Sequence, residues 1–204
     1  MRRQFYFMVL ITAFLSIQFS CSSDDGGGDP LPTGPTLDEL IAQGWQAFEA
    51  GDFQTAQSKF NEARQKDSGP IEIFTGLGWS LFRLDNLQQA SNELGGASQR
   101  ADATADIFAG GAFVLNALKN YDESNTMAAQ ALIADASWSF SHDNGLNADD
   151  LRVLKAENYF LLSAFGESLS EVQRLNGSFN ADVQTTAGRQ ALAAEIERLK
   201  LATQ

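Results

Sequence analysis

Few residues of this chain can do covalent or acid–base chemistry. There is one cysteine, Cys21, and one histidine, His142. A Cys–His pair supports thiolate attack, the imidazole drawing the proton from sulfur. That requires a free thiol, and the surroundings of Cys21 give it another use, described below. A Ser–His–Asp arrangement would have to use His142, and no Gly-x-Ser-x-Gly elbow occurs. Neither a P-loop nor a Gly-x-Gly-x-x-Gly opening a helix within a strand–helix–strand unit is present. His142, Asp143, Asn144, Asp149 and Asp150 form a polar cluster with the oxygen donors that calcium takes. Their spacing lacks the alternating ligands and late glutamate of an EF-hand loop. The cluster reads as a solvated loop with a helix cap. The sequence therefore predicts no catalytic residue, no metal ligand and no cofactor.

The residues with a clear pattern are aromatic. Gly44-Trp45, Gly78-Trp79 and Ala112-Phe113 set a small residue beside a large ring three times, 34 residues apart. The elements that carry them read as helices. From Thr36 onward strand signals are almost absent, and apolar residues recur at helical spacing. Thr36 and Glu39 have capping-box spacing, with Pro35 just outside.

Windows of 34 residues begin at Leu37, Ile71 and Ala105. In the first, Gly44 is followed by Ala56, Phe60 and Ala63. In the second, Leu77 and Gly78 are followed by Leu81, Ala90, Leu94 and Ala97. In the third, Ala112 is followed by Leu115, Ser124, Ala128 and Ala131. Turns recur as Gly51-Asp52-Phe53, Asp85-Asn86-Leu87 and Lys119-Asn120-Tyr121. Asn86 with Gln89 and Asn120 with Glu123 again have capping-box spacing.

A weaker fourth window runs from about 149 to 182, ten residues late, after an insertion at 137–148 with the sequence SWSFSHDNGLNA. Its first helix would hold Leu151, Leu154, Ala156, Tyr159 and Leu162, capped by Asn147 and Asp150, and its turn would fall near Phe165-Gly166-Glu167-Ser168. A last helix, about Val183 to Leu201, has the polar side of an array cap.

These windows resemble tetratricopeptide repeats over 37–182, as units 37–70, 71–104, 105–138 and about 149–182, with 183–204 as a C-terminal capping helix. The resemblance implies an all-α, right-handed superhelical solenoid of antiparallel helix pairs. It also implies that the residue after each small one, with those three and four further on, lines a concave groove. Here that set is Trp45, Phe48 and Glu49, then Trp79, Phe82 and Arg83, then Phe113, Asn116 and Ala117. In the fourth unit it is Glu157, Phe160 and Leu161. An apolar stripe of this size either meets a partner or is filled from within. Trp138 and Phe140 of the insertion, or the C-terminal helix, could fill it.

The chain carries 26 Asp and Glu against 14 Lys and Arg, a formal charge of -12, which argues against nucleic acid. Hydrophobic residues make up 44% of it, enough for a packed core. Arg2 and Arg3 precede an apolar run from Phe5 to Ile17, and Ser20 precedes Cys21. Residues 1–20 read as a secretory signal peptide. The small residue before the cysteine resembles the lipobox of bacterial lipoproteins, although Gln18 stands where leucine is usual. That resemblance implies a lipid-attached Cys21 as first mature residue, against the alternatives of an unlipidated signal peptide or a signal anchor. Residues 21–36 would then be a lipidated, flexible tether reaching roughly 20 Å. Ser22 and the acidic run after it are similar to the pattern of outer-membrane and surface lipoproteins.

The expected function is a membrane-anchored scaffold of the bacterial cell envelope that binds a protein or peptide, with self-association as a possible mode. The alternative is a small-ligand or glycan-binding lipoprotein of a nutrient-uptake system, using aromatic faces to stack on sugars.

Overall fold

The computed structural model describes residues 34–143 and 145–202. The signal peptide, Cys21 and most of the tether lie outside the described residues. Among the described residues there are nine helices: α1 (Leu37–Glu49), α2 (Phe53–Lys66), α3 (Ile71–Arg83), α4 (Leu87–Ala97), α5 (Ala105–Ala117), α6 (Tyr121–Ala134), α7 (Ala148–Leu161), α8 (Phe165–Leu175) and α9 (Thr186–Ala202). No described helix is long and apolar enough to cross a membrane.

Each odd-numbered helix up to α7 pairs with the helix that follows it. The odd helices also touch one another in sequence, α1 with α3, α3 with α5, α5 with α7 and α7 with α9. Among the described residues the even helices make no such contacts. Odd helices therefore form the inner, concave layer. The last helix, α9, packs on α7 and α8 where the first helix of a further repeat would sit. It covers Val153, Ala156 and Val172 with Leu192, Ile196 and Leu199.

The helix pairs close through one recurring device. Gly44, Gly78, Ala112 and Ala156 are each matched sixteen residues later by Phe60, Leu94, Ala128 and Val172, and all eight are buried. A Cβ on Gly44 would come within 2.8 Å of the Phe60 ring, and one on Gly78 within 2.3 Å of Leu94 Cγ. Where the small residue is alanine, the pair carries a side-chain hydrogen bond too. Ser124 Oγ donates to Ala112 O at 2.8 Å, and Ser168 Oγ to Ala156 O at 2.7 Å.

The turns inside each pair repeat equally closely. Gly51, Asp85, Lys119 and Ser163 have φ of 79°, 60°, 62° and 62°, at steps of 34, 34 and 44 residues. Each ends its helix in a Schellman motif. The next residue's N–H reaches five back, as in Asp52 N to Ala47 O at 2.9 Å and Ala164 N to Tyr159 O at 2.8 Å. The fourth turn is thus Ser163-Ala164-Phe165, earlier than Phe165–Ser168, because Ser163 takes the left-handed position and Phe165 already opens α8.

The capping boxes at Thr36/Glu39 and Asn147/Asp150 are present. Those at Asn86 and Asn120 are not. Asn120 Nδ2 donates to the Glu123 carboxylate, and Asn86 caps only through its carbonyl, which accepts from Ala90 N at 3.0 Å. The last helix starts at Thr186 rather than near Val183. Residues 182–185 instead form a turn, in which Thr185 N donates to Asp182 O at 3.0 Å and Thr185 Oγ1 accepts from Gly188 N at 3.0 Å.

Gly78→Ala is expected to cost about 1–3 kcal/mol by overpacking against Leu94. Gly96→Ala, where a Cβ meets nothing within 4 Å, is expected to raise stability through helix propensity. Thermal unfolding followed by circular dichroism compares the two. Equal melting temperatures would refute the close-crossing account.

Candidate functional site

The concave face carries the aromatic stripe, and the insertion lies on it. Residues 138–140 run extended, pinned by an isolated antiparallel bridge between Ser139 and Asn147, and 140–143 then close a turn in which Asp143 N donates to Phe140 O at 3.2 Å. Phe140 N donates to Leu146 O at 3.0 Å, and Ala148 N to Trp138 O at 2.7 Å. This is a local exception to the helical reading, and its alternation sends Trp138 and Phe140 inward and Ser139 and Ser141 outward.

The inward side chains fill the first half of the groove. The Phe140 ring stacks on Trp79 at 4.2 Å and meets Trp45 and Phe48 edge-on at 6.1 and 5.9 Å. His142 lies flat on Trp45, with ring centroids 3.7 Å apart and planes within 3°. Trp45, Phe48 and Trp79 are consequently buried, Trp79 completely (0% exposed). Of the two outcomes the sequence leaves open for the stripe, this half is filled from within. These three rings do not line an open groove while the loop is seated.

Polar contacts fix the loop at both ends. Trp138 Nε1 donates to Asp106 Oδ1 at 2.7 Å, while Trp79 Nε1 donates to the backbone carbonyl of the same residue at 3.0 Å. His142 Nδ1 lies 2.7 Å from Glu49 Oε1, and Arg83 pairs with Asp143 at 2.6 Å. The Arg83 guanidinium also lies over the Phe53 ring, 4.5 Å from its centroid. The reading of this cluster as a solvated loop is thus corrected at His142. A flat imidazole finds more contact on an indole face than in water, and Glu49 meets its nitrogen. Asp149 pairs with Arg152 at 3.0 Å, and Asp150 accepts from Asn147 N at 2.8 Å. Asn144 lies outside the described residues. No group of three metal-ligating side chains occurs among the described residues.

The other candidate residues fall into two places. Phe82 and Phe113 are half-buried, their rings 6.5 Å apart, beside the seated loop. With Leu146 they line a cleft of about 600 Å³ whose rim carries Arg83, Asp85, Asp143 and Asp150. A smaller cleft of about 230 Å³ continues past Phe113 and Leu146 to Asn116, Glu157 and Lys200. Asn116 Nδ2 donates to Asn158 Oδ1 at 2.6 Å, and buried Asn158 donates on to Ser124 and Asn125 at 2.9 and 3.1 Å. In the fourth unit, Glu157 pairs with Lys200 of α9 at 2.8 Å. Phe160 packs on Phe165 at 5.2 Å, within the cluster that α9 covers, and is not brought to the other rings.

Asp106, Asn158 and Leu146 were not evident as site residues in the sequence. The available signal was Trp138-x-Phe140-x-His142, an alternation of period two inside a helical chain. Nothing in the sequence marks Asp106 as acceptor for two indoles.

No family model matches the sequence, and no curated protein does. Solved structures do match the fold. The chain forms a right-handed superhelical solenoid of the tetratricopeptide type with a C-terminal capping helix. A tetratricopeptide repeat protein from Parabacteroides merdae is 15% identical over 80% of this chain, with a TM-score of 0.58. The match covers 60% of that protein's length. MamA from Desulfovibrio magneticus gives 11% identity and a TM-score of 0.59, over 70% of this chain and 75% of its own. YrrB, described as a TPR protein with an unusual peptide-binding site, gives 12% and 0.63, over 80% of this chain and 86% of its own. At these identities the likeness concerns the fold alone.

Trp79→Ala is expected to lower stability by about 3–5 kcal/mol, the cost of emptying a core aromatic site. A melting temperature within a degree of wild type would contradict burial of that ring.

Burial raises the Asp106 carboxyl above its usual range, against the hydrogen bond from Trp138, which lowers it. A carboxylate with a raised folded-state pKa costs stability once it ionises, so its contribution falls as pH rises through and above the carboxylate range. Asp106→Asn keeps an oxygen for the indole and removes the charge. It is expected to match or exceed wild-type stability at neutral pH, with the advantage shrinking toward pH 4, whereas Asp106→Ala loses stability throughout. Chemical denaturation of the three proteins at several pH values checks the order.

Proposed function

We propose that the chain is a lipid-anchored, non-catalytic scaffold of the bacterial cell envelope that binds a protein or peptide on its concave face. The open cleft over Phe82, Phe113 and Leu146 is the observation that supports this most directly. Phe82 and Phe113 stand on α3 and α5, whose crossings with their partners leave little freedom, so this wall of the cleft is ordered before a ligand arrives, while Asp143, Gly145 and Leu146 of the insertion line the other. Three carboxylates against one guanidinium on its rim favour a neutral or basic segment and speed its encounter. The peptide-binding description of YrrB supports the reading by analogy of fold.

Anchoring rests on the N-terminal sequence. Arg2, Arg3, the apolar run and Cys21 read as a lipoprotein signal, and two or three acyl chains would hold the protein at the membrane where one would not. The outer membrane is the proposed location. The glycan-binding alternative needs exposed aromatic faces, and those of Trp45 and Trp79 are covered by His142 and Phe140. That favours the protein-binding reading.

Crosslinking in cells followed by pull-down is expected to enrich a partner with the wild type, or a second copy of the chain if it self-associates. Phe82→Ala/Phe113→Ala, checked for folding, is expected to lose it. Cys21→Ser is expected to move the protein from the membrane to the soluble fraction. No enriched species with the wild type would sink the scaffold reading, and a Cys21→Ser protein still held at the membrane would sink the lipid anchor.

A further inference from the structure

The insertion is not needed to join the helices it lies between. The link from α2 to α3 spans 67–70 and that from α4 to α5 spans 98–104, while the link from α6 to α7 spans 135–147. The left-handed turn residues step by 34, 34 and then 44, so the extra ten residues lie outside the repeat. Those residues reach back across the concave face to α1, α3 and α5. Their partners stand far away in sequence: Glu49 from His142 by 93 residues, Arg83 from Asp143 by 60, and Asp106 from Trp138 by 32.

The manner of contact is that of a bound peptide. The segment runs extended over 138–140 and turns at 141–142, and its alternate side chains Trp138, Phe140 and His142 face the groove. Trp138, Phe140 and His142 each meet a prepared counterpart: the Asp106 carboxylate, the Trp79 face between Trp45 and Phe48, and the Trp45 face beside Glu49. Extended ligands obtain specificity in this way, through pockets for every second side chain. The seated segment has an open cleft on each side, of about 590 Å³ and 600 Å³, which share Arg83, Asp143 and Gly145. An incoming chain could begin in the apolar cleft over Phe82 and Phe113 and displace the Arg83–Asp143 pair before the rings.

We infer that 138–142 is a resident occupant of a peptide site built by α1, α3 and α5, and that the outside partner fitting this site is a peptide segment with aromatic side chains at alternate positions, extended across the first two and turning at the third. The inference rests on the protein-binding reading of the concave face and gives the partner a chemistry. A loop tethered in place competes at an effective concentration in the millimolar range. The site's apparent affinity for a free segment falls by the fraction of time the loop is away. The loop thus acts as a threshold, which a partner passes by using the open cleft as well.

The test uses a fluorescently labelled synthetic peptide of residues 136–147 and the full chain. In W138S/F140S/H142S the loop keeps its length and loses its anchors. Fluorescence anisotropy is expected to show the peptide binding this variant at least ~100-fold more tightly than wild type. A peptide with alanine in place of the tryptophan and phenylalanine should not bind. If the folded variant binds both peptides alike, or binds no better than wild type, the inference is overturned. The open cleft and the scaffold reading would then still stand, since they do not need the loop to leave.

Should the variant not fold, hydrogen exchange on the wild type decides. The Phe140 and Ala148 amides are expected to exchange at least ~100-fold faster than those of Gly78 and Ala112, through local opening. Exchange at the core rate would make the loop a fixed part of the fold and overturn the inference.

Discussion

The structure depends on how closely two helices approach at one point in each repeat. At Gly44 and Gly78 there is no room for a methyl group, because Phe60 and Leu94 fill the space from the opposite helix. At Ala112 the facing residue shrinks to Ala128, and the pair gains a serine hydrogen bond to the backbone. Where the facing residue is large, as Phe60 and Leu94 are, the crossing residue must be glycine, and where it is Ala128 or Val172 an alanine fits. With the crossing set, the residue after the small one must point to the inner layer. This places Trp45, Trp79, Phe113 and Glu157 along one face, although nothing local links them.

That inner face is divided. Its first half is covered by rings that the chain itself supplies, and its second half is an apolar cleft with an acidic rim. The division follows from the insertion's reach. Trp138 is held at α5 by Asp106, and the chain then runs to a turn that sets His142 over Trp45 on α1. Beyond Phe113 the face changes character. Asn116, Asn158, Ser124 and Asn125 form a hydrogen-bonded chain inside the joint between the third and fourth repeats. A buried network of this kind specifies one arrangement, since each partner lost leaves another unsatisfied. The fourth repeat is then closed by α9 and by the Glu157–Lys200 pair, so the array ends where the groove does.

The inner face also engages side chains that could otherwise titrate freely. The one histidine is engaged between an indole face and a carboxylate, and the carboxyl raised by burial, Asp106, serves two tryptophan N–H groups. Both are part of the same contact between loop and groove. His142 and Asp106 thus act in holding one segment of the chain against another.

The helical architecture was legible in the sequence because it rests on short-range rules. Small residues at a 34-residue step, apolar residues at helical spacing and residues able to take a left-handed turn are all readable within one repeat. Capping was partly legible. Thr36 and Asn147 cap as their spacing indicates, but Asn120 turns to Glu123, a choice between neighbours that spacing does not weigh. The position after each small residue could be read as well, and Trp45, Trp79 and Phe113 occupy it.

Whether the stripe was open or filled was not legible, because that depends on where a segment 32 to 93 residues away comes to rest. By itself the sequence determined the helical repeat, because local spacing and side-chain size dictate it. Only the tertiary structure decided that Phe140 covers Trp79, that His142 covers Trp45 and that Phe82 and Phe113 remain beside an open cleft. Those outcomes depend on the curvature of several stacked repeats and on the length of one inserted loop acting together.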